Sequence, residues 1–424
     1  MCNEEINIRI EEVKPVEIGV KLDIAYAEDP TLISRLDELN GEVVGVTSSA
    51  KIAAAIDSKE AIAEAVNIKG GNITADTPLS AYAEEIQALT VPVVGKPSDG
   101  PRVRFFDYDG TLLKTEYVPK GGAATAPEIP QHERLLFQEW NNDFDNITRD
   151  KDIGAIYTTK SGASEFDFCV KGSLSITIRL NAKTVGVQVD WGDGVIEVLS
   201  KTGTYDHTHT YTTAGMYTVK VTGDWTNSTQ IVRTGLLMAA HICGTLFSVS
   251  HAFNNIFVKQ ITFDKNSNCS GGTYFFSSSK CLRHLNFPRG FRSYSYWGMQ
   301  GLRTVSLPDD FRLEYSMFSN SLFQTVVLPE QTETIPYACF DGSKLEFITI
   351  PPNVTFIDGL SFRLCESLYK ITLEGENPPS LAADAFNNTS GLAEIIVPKG
   401  CAEAYKSATN WSTYADIIKE QEND

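Results

Sequence analysis

The chain has 424 residues, 42% hydrophobic and 10% aromatic, enough apolar material for globular folding and too much for wholesale disorder. Formal net charge is −18, and residues 1–100 supply −10 of it, from 18 acidic against 8 basic side chains. An acidic chain repels phosphate backbones, which argues against nucleic acid as a partner, and no window of about 18 successive apolar residues offers a helical membrane span.

In residues 1–26, Ile6, Ile8 and Ile10, then Val16, Ile18, Val20, Leu22 and Ile24, alternate with period two, so two strands broken near Lys14-Pro15 are expected. Leu32, Leu36, Leu39, Val43 and Val46 follow heptad spacing, compatible with a helix packed in its own domain or a short oligomerising stem. Ser58 is a good N-cap for the helix that ends at Gly70-Gly71, and Thr77-Pro78 restarts the helix with Leu79, Tyr82, Ile86 and Leu89 on one face. This helix–Lys69-Gly70-Gly71–helix segment resembles one common in tailed-phage structural proteins. The resemblance implies that residues 1–91 form an α/β attachment region docking on phage capsid or tail proteins.

Pro92 to Pro101 reads as a linker. Residues 102–160 then run strand, Asp-Gly turn, strand, a proline pair at Pro127 and Pro130, an aromatic strand ending at Trp140, and a closing strand ending at Tyr157. That order is similar to the small β-grasp modules of the Listeria–Bacteroides repeat type, which implies a spacer. In 166–228, Asp190-Trp-Gly-Asp-Gly194 followed by His209-x-Tyr211 and Gly215-x-Tyr217-x-Val219 resembles a PKD-type β-sandwich, with Trp191 as the expected core anchor.

Residues 229–424 carry internal repeats. Segments starting at Val258, Leu282, Leu302, Phe323, Leu345, Leu368 and Leu392 share the pattern apolar-x-x-apolar-x-apolar, usually closed by proline, at intervals of 20 to 24 residues. That period and alternation predict a solenoid of leucine-rich repeats, each giving one short strand whose alternate side chains point inward. The tail from Val397 to Tyr414, and Ala385-Phe386 before it, resembles BspA-type leucine-rich repeat proteins, with a final helix carrying Ala404, Tyr405, Ala408 and Trp411 as the cap. The pattern departs from that family at 282–330, where aromatic residues replace small apolar ones. The fold class expected is therefore mainly β and multidomain: an α/β N-terminal region, a β-grasp-like module, a PKD-like sandwich and a terminal solenoid.

Three groups could carry chemistry. Asp107-Tyr-Asp109-Gly-Thr111 fits the nucleophile loop of haloacid-dehalogenase-type phosphatases, but no crossover helix follows it, and a plain Asp-Gly hairpin turn explains it as well. Asp190 and Asp193 with His207 and His209 hint at a metal, yet carboxylates beside glycine usually cap their own turn. Tyr294, Tyr296 and Trp297 form the candidate ligand-binding patch, with Phe311, Tyr315 and Phe318 after them expected in the core. No cofactor, metal or catalytic residue is implied.

Cys339 and Cys365 fall at repeat turns and read as buried free thiols. Met1 to Glu5 lacks a basic stretch and an apolar core, so no signal peptide is expected. Together these readings lead to a non-enzymatic virion protein, a head or tail fibre made in the host cytoplasm. It would be a homo-oligomer, most plausibly a trimer, with the repeats contacting a host-surface glycan or protein. The alternative is a bacterial cell-surface adhesin.

Overall fold

The computed structural model describes residues 93–94, 100–172, 174–226, 231–244, 246–247, 257–269, 280–291 and 299–421. The chain divides into two compact units, Met1–Val94 and Gly95–Asp424. The strands and helices expected before residue 92 lie outside the described residues.

The second unit begins with a module of strands Arg102–Phe106, Leu112–Tyr117, Leu135–Trp140 and Lys151–Thr159. The first and last lie side by side and parallel at the centre. The 112–117 strand pairs antiparallel with the first, and the 135–140 strand antiparallel with the last. Alternation explains the layer: Val103, Phe105 and Ile153 turn to one side, where Ile147 and Val118 complete a small core. The 151–159 strand is buried on both sides, so its other side needs a second cover.

That cover comes from the rest of the unit. A two-sheet sandwich follows. One sheet has Ser175–Ala182 between Gly203–Thr210 and Trp225–Thr226, with Val232–Thr234 also on Ser175–Ala182. The other runs in the order Gln260–Phe263, Leu236–Ile242, Ser164–Val170, Gly215–Thr222, Gln188–Asp190, Ile196–Val198. Trp191 is fully buried, and the Tyr211 hydroxyl donates to its carbonyl at 2.8 Å. Gly192 has φ +80°, and a Cβ there would stand 2.6 Å from the Thr218 carbonyl oxygen, so the turn after Trp191 requires glycine.

The 236–242 strand splices sandwich to solenoid. It pairs antiparallel with 164–170 on one side and parallel with 260–263 on the other. From there the ladder is parallel, and one hydrophobic core continues from Phe166 to Ile418. His284–Asn286 pairs with Thr304–Ser306, and Phe347–Ile350, Lys370–Leu373, Glu394–Val397 and Ile418–Glu420 stack in register, with Ile348, Ile371, Ile395 and Ile418 aligned inward. A second parallel sheet stacks Thr334–Ile335, Phe356–Ile357 and Ser380–Leu381. Residues 323–329 form no strand, although Phe323, Val326 and Leu328 are buried as the repeat requires.

Two devices recur along the solenoid. Pro288, Pro308, Pro329, Pro351 and Pro398 close their segments, and each carbonyl accepts the backbone N–H three residues on, which turns the chain into the next side of the coil. Phe318, Phe340, Phe362 and Phe386 stack face to face inside, with centroids 5.7, 5.4 and 5.3 Å apart. The coil corners use left-handed backbone at two positions: Ser316, Ala338 and Leu360 form one set, and Asn320, Gly342, Leu364 and Asn388 the other. The end is capped by helix Ala402–Ser407 and the 3-10 turn Trp411–Ile417. Tyr405 and Trp411 are buried, and the Trp411 indole donates to the Pro379 carbonyl at 2.7 Å. The helix expected to carry Ala404, Tyr405, Ala408 and Trp411 stops at Ser407, so Ala408 and Trp411 follow it; Ala402 and Tyr405 are its buried residues and Ala404 is exposed.

Candidate recognition surface

The phosphatase-like motif folds as a hairpin turn between the 102–106 and 112–117 strands. Asp107 N–H donates to the Thr111 carbonyl at 2.8 Å, and Thr111 N–H to Asp109 Oδ1 at 2.9 Å. The two carboxylates diverge. Asp107 is buried, with Oδ1 accepting from Tyr108 N–H and Oδ2 2.9 Å from His132 Nε2, while Asp109 is exposed. Burial holds the Asp107 carboxyl above its usual range. A Cβ on Gly110 would lie 2.7 Å from His284 Cβ, so the loop is packed closed against the solenoid.

The sandwich histidines share one strand face but reach different carboxylates. His207 Nδ1 sits 2.8 Å from Glu197 Oε1, and His209 Nε2 2.7 Å from Asp193 Oδ2. These pairs span the open edge between the two sheets, and His209 also stacks on Trp191 at 5.1 Å. Asp190 Oδ1 accepts from Gly192 N–H and Asp193 Oδ1 from Val195 N–H, which is turn capping. Among the described residues no cluster of His, Cys, Asp and Glu has metal-ligand geometry. Cys169, Cys243, Cys281, Cys339, Cys365 and Cys401 are free thiols, and burial pushes Cys365 up to about 11 and Cys339 further.

Tyr294, Tyr296 and Trp297 lie outside the described residues. Phe311 and Phe318 are buried, but Tyr315, expected with them in the core, is 40% exposed. Its ring stacks on Tyr337 at 5.3 Å and 6°. Both precede a left-handed corner residue, so the same slot in successive coils throws both rings outward. A second exposed pair, Phe347 and Tyr369, meets edge to face at 6.4 Å. Phe347 opens its strand on the outward side because Ile348 and Ile350 point inward. Sequence reasoning passed over Phe347 and Tyr369 because they occupy the x positions of the repeat; an aromatic ring in a slot the pattern leaves free was the available signal.

Charged neighbours flank this surface. Lys419 Nζ lies 2.7 Å from Glu394 Oε1, and that contact, with Lys370 nearby, holds the Glu394 carboxyl below its usual range. Arg363 forms a two-pronged contact with Asp341 across one coil.

The arrangement is that of a repeat scaffold presenting a broad outward surface. Residues 248–312 and 291–415 match the family of the BspA type leucine-rich repeat region, in six copies. The C-terminal part of the chain is a solenoid of BspA-type leucine-rich repeats. No curated protein matches the chain.

Proposed function

We propose that the protein is a non-catalytic, adhesin-type recognition protein whose solenoid contacts a surface glycan or protein through outward aromatic rings. The observation that carries this is the pair of exposed ring groups, Tyr315 with Tyr337 and Phe347 with Tyr369, on a rigid repeat scaffold. Exposed rings on a fixed backbone bury area at low entropic cost and stack on sugars. Tyr294, Tyr296 and Trp297 extend the same proposal into the neighbouring repeat.

The remaining parts serve as carriers. Parallel first and last strands at the centre of the 102–160 sheet support a β-grasp-like spacer. The buried Trp191 with its Tyr211 hydrogen bond supports a PKD-like sandwich. Residues 1–91 anchor the chain, either to a phage particle as a trimeric fibre or to a bacterial surface. The family match favours the bacterial adhesin at least as much as the virion protein.

The test is a binding screen of the full chain against a glycan array and against intact bacteria, run beside antibody labelling of particles and of cells. Saturable binding to either target supports the recognition role. Labelled virions would assign the chain to a particle and labelled cells to a surface. No binding to any glycan or cell would overturn the recognition role.

A further inference from the structure

Half of the chain's six histidines, His132, His241 and His284, gather where the 102–160 module meets the sandwich and the solenoid. The seam itself is polar and buried. Asn141 and Asn142, both buried, donate to the carbonyls of Phe287, Ser306 and Leu307 at 2.8 to 3.2 Å. Asn286 returns the contact from the solenoid, donating to the carbonyls of Asp107 and Ala155 at 3.1 Å. Arg134 of the module binds Asp167 and Glu165 of the sandwich.

Two histidines are wired into this seam as neutral rings. Asn286 spends its amide N–H groups on the module, so its Oδ1 faces His284 Nε2 at 2.7 Å and that nitrogen carries the proton. His284 Nδ1 then accepts from the Thr304 hydroxyl at 2.6 Å. From the module, the Phe106 ring and Gly110 close over it; Asp109 and Asp152 favour a charge there and Arg104 opposes one. His241 has the opposite tautomer. Its Nε2 faces the Arg134 guanidinium at 3.4 Å, a group that only donates, so Nδ1 carries the proton and donates to Thr262 Oγ1 at 3.0 Å. Tyr108, which also touches His132, packs on its ring, and Asp167 stands beside Arg134 as the nearest counter-charge. Protonating His241 sets an N–H against Arg134, the cation that joins module to sandwich.

We infer that this seam is an acid-opened latch: protonation of His241 and His284 releases the 102–160 module and uncovers the outward face of the 284–286 and 304–306 strands. Burial, before any charge partner, lowers both histidines to about 4. The sign follows from that depression. The closed seam keeps both rings neutral, whereas an opened seam lets them titrate near the ordinary value of about 6.5. Closure is therefore fully favoured above about 6.5 and weakens as pH falls toward 4, by about tenfold per pH unit for each histidine. Asp107 works in the opposite sense, since burial raises its carboxyl and closure then favours its protonated form, so the net slope falls below that limit. The His132–Asp107 contact, backed by Tyr157 and by Lys160 on the His132 carbonyl, stays inside the module.

Hydrogen exchange of the full chain, corrected for intrinsic rates, at pH 7, 5.5 and 4.5 tests this. Protection at 151–157, 284–287 and 304–307 is expected to fall at least tenfold by pH 4.5, while the 371–373 and 395–397 strands, which do not face the module, keep theirs. His241→Gln with His284→Gln should flatten the response. If that variant does not fold, imidazole NMR of the unaltered chain gives the second readout, with two rings staying neutral to about 4. Seam protection that is flat across this range, loss in step with 371–397, or all rings titrating near 6.5 would each overturn the latch.

Discussion

The two ends of the solenoid fill the same outward slots with different chemistry. At the start, His284, Asn286 and Ser306 occupy them, buried under the 151–159 strand; Asn286 and Ser306 hydrogen-bond across the seam, and His284 bonds to Thr304 and Asn286 within the solenoid. Further along, the equivalent slots hold Phe347, Thr349, Lys370, Thr372, Glu394 and Ile396, none of them buried. Inward slots do not differ in this way: Leu285, Val305, Ile348, Ile371 and Ile395 are all buried and apolar. The repeat therefore dictates its inside, and the outside records what each coil meets. In the covered slots the polar side chains of Asn286 and Ser306 make specific hydrogen bonds with the module, and the open slots hold a mixture that includes the exposed ring of Phe347 and the charges of Lys370 and Glu394.

The inward layer should be the most sensitive to change. Phe362→Ala removes a ring held between Phe340 and Phe386 and should cost about 3–5 kcal/mol in urea unfolding. A loss below 1 kcal/mol would mean the ring stack is incidental. In the covered slots the effect is smaller and polar in origin. Asn141→Leu leaves the buried Gly154 N–H without its acceptor and removes one of the two Ser306 hydroxyl contacts, and should cost about 1–3 kcal/mol, whereas Thr372→Val on the open face should stay within about 0.5 kcal/mol. Equal costs for the two would erase the contrast. Gly154→Ala puts a Cβ 2.3 Å from the Asn286 amide and should destabilise the seam by about 1–3 kcal/mol, read as earlier exchange at 284–287.

A gain is expected at the corners. Leu364 holds φ +58° and is 41% exposed, so Leu364→Gly relieves left-handed strain and should raise stability by up to about 1 kcal/mol. A loss in thermal melting would show that the leucine contributes more by contact than it costs in backbone strain.

The sequence was legible where periodicity speaks. The inward positions, the closing prolines and a cap built on Tyr405 and Trp411 could all be taken from spacing and residue type. The BspA-type resemblance of the repeats holds for residues 248–415. Other features were not legible, for physical reasons. Leu236–Ile242 is a near-continuous apolar run without alternation, so nothing in it announces a strand whose two edges pair in opposite senses. Asp107 and Asp109 share one motif with two explanations, and only the packing of Gly110 on His284, 174 residues away in sequence, reveals a closed turn. The exposure of Tyr315 depends on a left-handed corner at Ser316, a residue type that does not announce one.

The most direct test of the recognition face is the double substitution Phe347→Ala with Tyr369→Ala in the full chain, assayed for binding to whichever glycan or cell surface the screen identifies. Binding is expected to weaken at least about tenfold with an unchanged melting temperature, since both rings are exposed. Undiminished binding by a folded double variant would contradict an aromatic recognition face.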